Sequence, residues 1–212
     1  GVLGHNAYAY CLNNPVNRID PSGQFWITAL IVTAVVAVCT VTFSGCSAQP
    51  ASDVGAAKPY INMPGSNDLS SPNCYAYAIG SPFNEQPGRA SGRFPTKWND
   101  VNDVGESVKA DLEAMGRTVR KISGPDAKVY DNEFKIALRV GTRPYKYNLT
   151  AGQVYYDYHF MRQTDTGQWA EKHGYGGASI LWDAGMTPDT IPWTLCGVPY
   201  YDSAIIYYAL GN

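Results

Sequence analysis

Three stretches of this chain hold the residue types needed to cut an amide bond: a cysteine in SSPNCYAYAIG, a histidine in VYYDYHFMRQ, and a carboxylate or second histidine in GQWAEKH. A thiolate is a strong nucleophile, and it wants an imidazole that takes its proton and later returns one to the leaving group. Cys74 is the candidate nucleophile, although a buried cysteine is also among the commonest interior residues, so position has to separate the two readings. Ser71 suits an N-cap and Pro72 the first helical position, which puts Cys74 in a helix's first turn. There a thiol pKa falls from ~8.5 toward ~3.5–7.5 when a basic partner assists.

The chain has three histidines, His5, His159 and His173, and His5 lies in a turn-rich opening segment. Alternation through VYYDYHFMRQ predicts a strand with Tyr156, Tyr158 and Phe160 on one face and Asp157, His159 and Met161 on the other. Thr-Asp-Thr-Gly then signals a turn, so His159 is expected to face an antiparallel neighbour on which Trp169, Glu171 and His173 share a face. A polar residue beside a catalytic imidazole fixes its tautomer and stabilises its charged form. Glu171 is the candidate for that role, with His173 the alternative.

These residues need a helix and a sheet to hold them. Apolar residues at 101, 104, 108, 112 and 115 predict a helix that stops at Gly116. Strands are expected in TVRKI, FKIALRV, VYYDYHFMRQ, GQWAEKH and SAIIYYAL. A helix before a run of strands predicts an α+β fold, one helix packed on an antiparallel sheet, with the cysteine on a short helix and the histidine on the sheet. Gly174-Tyr-Gly-Gly177 reads as a glycine-rich turn, Asn148-Leu-Thr150 as a turn, and Tyr75 and Tyr77 as packing residues rather than cleft walls.

Composition removes other chemistries. With 45% apolar and 16% charged residues among 212 and a formal net charge of −2, the chain is globular and has no basic run to neutralise phosphates, so no nucleic-acid partner is expected. The five cysteines, at 11, 39, 46, 74 and 196, are scattered rather than set out as a disulfide scaffold. No C-x-x-C or H-x-x-x-H spacing occurs, so neither a metal nor another cofactor is expected.

Two breaks in composition divide the chain into residues 1–24, 25–50 and 51–212. In the first part Tyr8-x-Tyr10, Asn14-Pro15 and Asp20-Pro21-Ser22-Gly23 form a short strand followed by turns. The second part opens with Phe25 to Phe43, a stretch free of charge and long enough for a helix of ~30 Å, the thickness of a bilayer core. Its valine, isoleucine and threonine content suits strands equally, so the readings are a membrane-active segment or a buried hairpin or helix. Phe43-Ser-Gly-Cys46 has the look of a lipoprotein cleavage box but lacks a basic lead region. A small-residue polar linker comes next.

The order Tyr-x-Tyr, Asn-Pro, Asp-Pro-x-Gly resembles the end of the core of Rhs/YD-repeat proteins. That resemblance implies that this chain is the tail of a longer bacterial protein whose core forms a cage, and that the segment behind the core is a secreted or delivered toxin or effector with a cognate immunity protein. It also makes Asp20 a candidate member of the core's autoproteolytic aspartyl site, the alternative being a plain turn. Asn73-Cys-Tyr-Ala-Tyr-Ala, Pro87-Gly88-x-x-Ser91-Gly92 and Asp157-Tyr-His-Phe-x-Arg-Gln with a following Gly-x-Trp look like papain-like cysteine hydrolases related to CHAP and NlpC-type cell-wall peptidases. The likeness implies Cys74 as nucleophile, His159 as base and Glu171 or His173 as third residue, an oxyanion hole that includes the Cys74 amide and to which Asn73 or Tyr60 is a candidate further donor, and a peptide or protein substrate.

The expected function is therefore an effector hydrolysing an amide bond, as a protease, a peptidoglycan amidase or endopeptidase, or a deamidase. Two rivals stand beside it: a toxin that permeabilises or contacts membranes through 25–43, and a non-enzymatic module with a degenerate triad.

Overall fold

Alternating apolar residues on two faces of long strands demand cover on both sides, and the chain supplies it with helices on one side and irregular backbone on the other. The structure is a computed structural model that describes residues 49–145, 155–174 and 176–211, all within one unit, Ala48–Asn212. Residues 1–24 with Asp20, the apolar stretch 25–43 and Asn148-Leu-Thr150 lie outside the described residues. Among those that are described, no helix is long and apolar enough to cross a membrane.

Within the described residues two helices, α1 (Cys74–Ile79) and α2 (Val101–Ala114), precede eight strands: β1 (Thr118–Ile122), β2 (Glu133–Val140), β3 (Tyr158–Gln163), β4 (Trp169–Lys172), β5 (Ser179–Leu181), β6 (Thr194–Leu195), β7 (Val198–Pro199) and β8 (Ile206–Gly211). Six of them form one sheet in the order β1-β8-β2-β3-β4-β5, and every neighbouring pair is antiparallel. The fold is α+β with an antiparallel sheet. β6 and β7 make a separate hairpin.

The helix expected from Val101 is present, and Asp100 caps it by accepting from the Asn102 amide at 2.9 Å. Val101, Val104, Val108 and Leu112 are buried on the sheet, whereas Met115 is the exposed C-cap and takes no part in the apolar face. Both helices lie on the sheet face built by Phe134, Ile136, Leu138, Phe160, Tyr208 and Leu210. The opposite face, with Ala137, Met161, Trp169, Tyr207 and Ala209, is covered by Ile191, Trp193 and Tyr201 from the largely irregular segment 182–205. A single helix on one face is therefore too simple: two helices cover one side and a loop layer the other.

Cover on both sides leaves charged strand residues buried, and they find partners. Glu133 is met by Arg120 at 2.7 Å, and the Lys135 ammonium donates to the Pro125 carbonyl at 2.6 Å. Asp111 of α2 accepts from the Gly88 and Ser91 amides at 2.7 and 2.8 Å and from the Ser91 hydroxyl at 2.7 Å. The Pro87-Gly88-x-x-Ser91-Gly92 motif is thus the clamp that fastens its loop to α2.

Candidate active site

Cys74 is the first residue of α1, but the local start differs from the Ser71-Pro72 opening expected from the sequence. Asn73 has extended backbone, φ −87° and ψ −171°, and its side chain accepts from the Ala76 amide at 2.9 Å. The cap is Asn73 because its side-chain carbonyl oxygen reaches a free amide of the first turn. Cys74 keeps its first-turn place. The Asn73 amide nitrogen is committed too, donating to the Glu85 carbonyl and, at 3.5 Å, to the Tyr158 hydroxyl. Asn73 borders the site, while its side chain serves the cap rather than a free oxyanion donor. Tyr60 is placed elsewhere, donating to the Ser179 carbonyl at 3.0 Å.

His159 is the second residue of β3. In the β3–β4 register Met161 stands opposite Glu171 and Gln163 opposite Trp169, and the same register carried past the ladder sets His159 opposite His173. Both sequence candidates for the third residue therefore reach it, in different ways. His159 Nε2 lies 2.8 Å from Glu171 Oε2, and His173 Nε2 lies 3.2 Å from Glu171 Oε1. The His173 ring stacks on that of His159 at 4.8 Å and 21°. Glu171 is the direct partner, and His173 braces both.

Burial raises the Glu171 carboxyl, but the hydrogen bonds from His159 and His173 and their charge when protonated outweigh it and bring the group down to about 2. It is a carboxylate at neutral pH. Glu171 and His159 side chains are each only 2% exposed, whereas that of His173 is 28% exposed. The acid–imidazole pair is consequently dry, and its electrostatics are little screened.

A cavity of about 820 Å³ joins these groups, lined among others by Cys74, Asp157, His159, His173, Cys196 and Tyr201. The Cys74 thiol donates to the Tyr158 carbonyl at 3.7 Å, and no described hydrogen bond joins it to His159. Its protonation state also departs from expectation. Burial and, after it, the Asp157 carboxylate push the thiol well above its ordinary pKa, and the amides of Phe160, Tyr75 and Cys74 itself only partly oppose them. A helix of six residues has too small a terminal field to overcome that desolvation. At rest Cys74 is a neutral thiol.

Sequence reasoning missed two members of the site. Tyr201 stacks on His159 at 5.2 Å and 23° and donates its hydroxyl to Asp157 at 2.9 Å. Burial raises the Asp157 carboxyl against the pull of Tyr201, the Tyr158 amide and the two imidazoles. Asp157 falls on the predicted His159 face of the strand, a signal that could have drawn it in. Tyr201 comes from irregular backbone and carries no local signal.

The glycine-rich turn forms the cavity's far wall. The Gly177 amide donates to the His173 carbonyl at 2.8 Å, and a Cβ on Gly177 would sit 2.2 Å from that oxygen. The turn is also held from beneath, since the buried Lys172 ammonium donates to the Gly174 and Gly177 carbonyls at 2.8 Å. Tyr75 and Tyr77 are buried packing residues, as expected. Although no local spacing announced a metal site, His159, Glu171 and His173 also form a cluster of metal-ligating types, assembled across two strands. No protein-family model, curated protein or solved structure matches the chain.

Proposed function

We propose that the C-terminal part of this chain is a papain-like cysteine hydrolase that cleaves an amide bond, acting as the effector carried behind an Rhs-type core. The observation that carries the reading is the buried His159–Glu171 pair, 2.8 Å apart, on the wall of a cavity that Cys74 also lines. Glu171 occupies His159 Nε2, so Nδ1 is the ring nitrogen left for proton transfer. Because the resting thiol is neutral, deprotonation and attack go together: Sγ bonds to the carbonyl carbon while its proton passes to His159.

Glu171 then stabilises the imidazolium. The Cys74 amide is the oxyanion donor the resemblance supplies, and His159 returns the proton to the leaving nitrogen as the C–N bond breaks. Water, deprotonated by His159, hydrolyses the thioester and frees the thiol. Peptides, peptidoglycan stems and glutamine side chains all present the amide this sequence of steps needs.

Inducible expression of the whole chain tests the reading. Growth arrest with wild type and its loss with Cys74→Ala is expected, accompanied by new termini, altered muropeptides or deamidated glutamines in mass spectra of the arrested cells. Arrest that survives Cys74→Ala overturns the hydrolase and, with membrane leakage, points to 25–43.

A further inference from the structure

The ends of β3 and β4 bring together two imidazoles and one carboxylate, and the geometry of the trio exceeds what orienting a base requires. An imidazole nitrogen from each histidine and one Glu171 oxygen lie within 4.8 Å of one another. The two Nε2 atoms address different oxygens of the same carboxylate, at 2.8 and 3.2 Å. Donors bound tetrahedrally to zinc at ~2.0–2.1 Å stand about 3.3 Å apart, so each histidine–glutamate contact is near ligand spacing, and the trio, within 4.8 Å, has to draw in only slightly around an ion.

Charge points the same way. The only described hydrogen bonds to the Glu171 carboxylate come from the two imidazoles, and among the described residues its ion pairs are with these histidines rather than with a lysine or arginine. A second carboxylate, Asp157, shares the cavity wall with both histidines. Lys172, the cation nearest in sequence, is turned to the other face of β4 and donates to the Gly174 and Gly177 carbonyls. A buried Glu171 side chain that meets two imidazoles and no lysine or arginine among the described residues, with Asp157 on the same cavity wall, therefore suits a cation. The part-exposed edge of His173 opens on the cavity and gives an ion its way in.

We propose that His159, Glu171 and His173 bind a divalent transition-metal ion of the zinc class, leaving a coordination position open to the cavity. Two imidazoles and one carboxylate favour zinc, cobalt or nickel over the all-oxygen coordination that magnesium and calcium prefer. The binding does not rest on the hydrolase reading. If that reading holds, the ion removes His159 from Glu171 and is an inhibitor, so the ion-bound and hydrolytic states exclude one another.

The full-length chain, stripped of metal, is titrated with Zn²⁺ against a chromophoric chelator and separately with Co²⁺. One site per chain is expected, weakened at least about 100-fold by His173→Ala and by Glu171→Gln, and shifted less than about threefold by Cys74→Ala or Cys196→Ser. Bound Co²⁺ is expected to show visible ligand-field bands without thiolate-to-cobalt charge transfer. Zinc that never competes with the chelator, wild-type affinity in His173→Ala, or a thiolate charge-transfer band overturns the proposal. Should Glu171→Gln not fold, the wild-type cobalt spectrum and the His173 variant still decide. None of these readouts uses turnover, so a chain with no hydrolase activity tests the metal site equally well.

Discussion

His159 Nε2 and Glu171 Oε2 lie 2.8 Å apart with 2% of either side chain exposed, a contact made on the diagonal of an antiparallel hairpin. Glu171→Gln keeps the shape of the side chain and removes its charge. Under the proposed hydrolase mechanism, the acylation burst with an activated ester is expected to slow by about 10²–10⁴-fold, with unchanged circular dichroism. His173→Ala, which leaves the direct contact intact, is expected to cost less than about tenfold. Equal losses in the two variants would remove the distinction between partner and brace.

Cys74 is held as a neutral thiol by burial and then by Asp157, whereas Cys196 is exposed. At neutral pH, iodoacetamide is expected to label Cys74 at least about tenfold more slowly than Cys196, with the Cys74 rate climbing through the alkaline range. Asp157→Asn removes a charge that disfavours the thiolate, so it should move that climb to lower pH. Peptide mass spectrometry across a pH series reads both rates. A Cys74 rate already at its plateau at neutral pH would mean a preformed thiolate.

Glu171 makes the fold sensitive to acid. Its carboxyl ionises at about 2 when folded, against an ordinary value of 4.5. The unfolded chain therefore takes up this proton first as pH falls. The associated stability is complete above about pH 4.5 and is lost between there and about pH 2, worth about 3 kcal/mol at most. Urea midpoints at pH 6, 4.5 and 3 measure it, and Glu171→Gln is expected to flatten the decline.

Asp111 takes three hydrogen bonds from the loop at 88–91 and is fully buried. Asp111→Ala strands those donors and is expected to destabilise the fold by about 3 kcal/mol in urea unfolding. Ser91→Ala removes one hydroxyl donor and should cost about 1 kcal/mol. A larger effect from Ser91 than from Asp111 would contradict the clamp.

Much of this arrangement is legible from period alone. The spacing of Val101, Val104, Val108 and Leu112 locates α2, and strict alternation sets His159 and Glu171 on the same face of neighbouring strands. What alternation cannot carry is the third dimension. Lys135, Glu171 and Lys172 look solvated in sequence yet are buried, because the irregular segment 182–205 and the helices cover both faces. The conflict between helix-end activation and desolvation at Cys74 is likewise invisible, since burial depends on Tyr158 and Phe160 from a distant strand. β5, β6 and β7 span three, two and two residues, too few for a period to declare itself.

Tyr158 and His159 are consecutive, yet their side chains enter different layers: Tyr158 packs with the helices and His159 stacks on Tyr201 from the loop layer. Thiol and imidazole thus draw their alignment from opposite faces of one sheet, the thiol from the helical layer and the imidazole from the loop layer. Warming that loosens either layer misaligns them, so the proposed hydrolysis should switch off below the temperature at which the sheet itself melts, which would make activity an early thermometer for this fold.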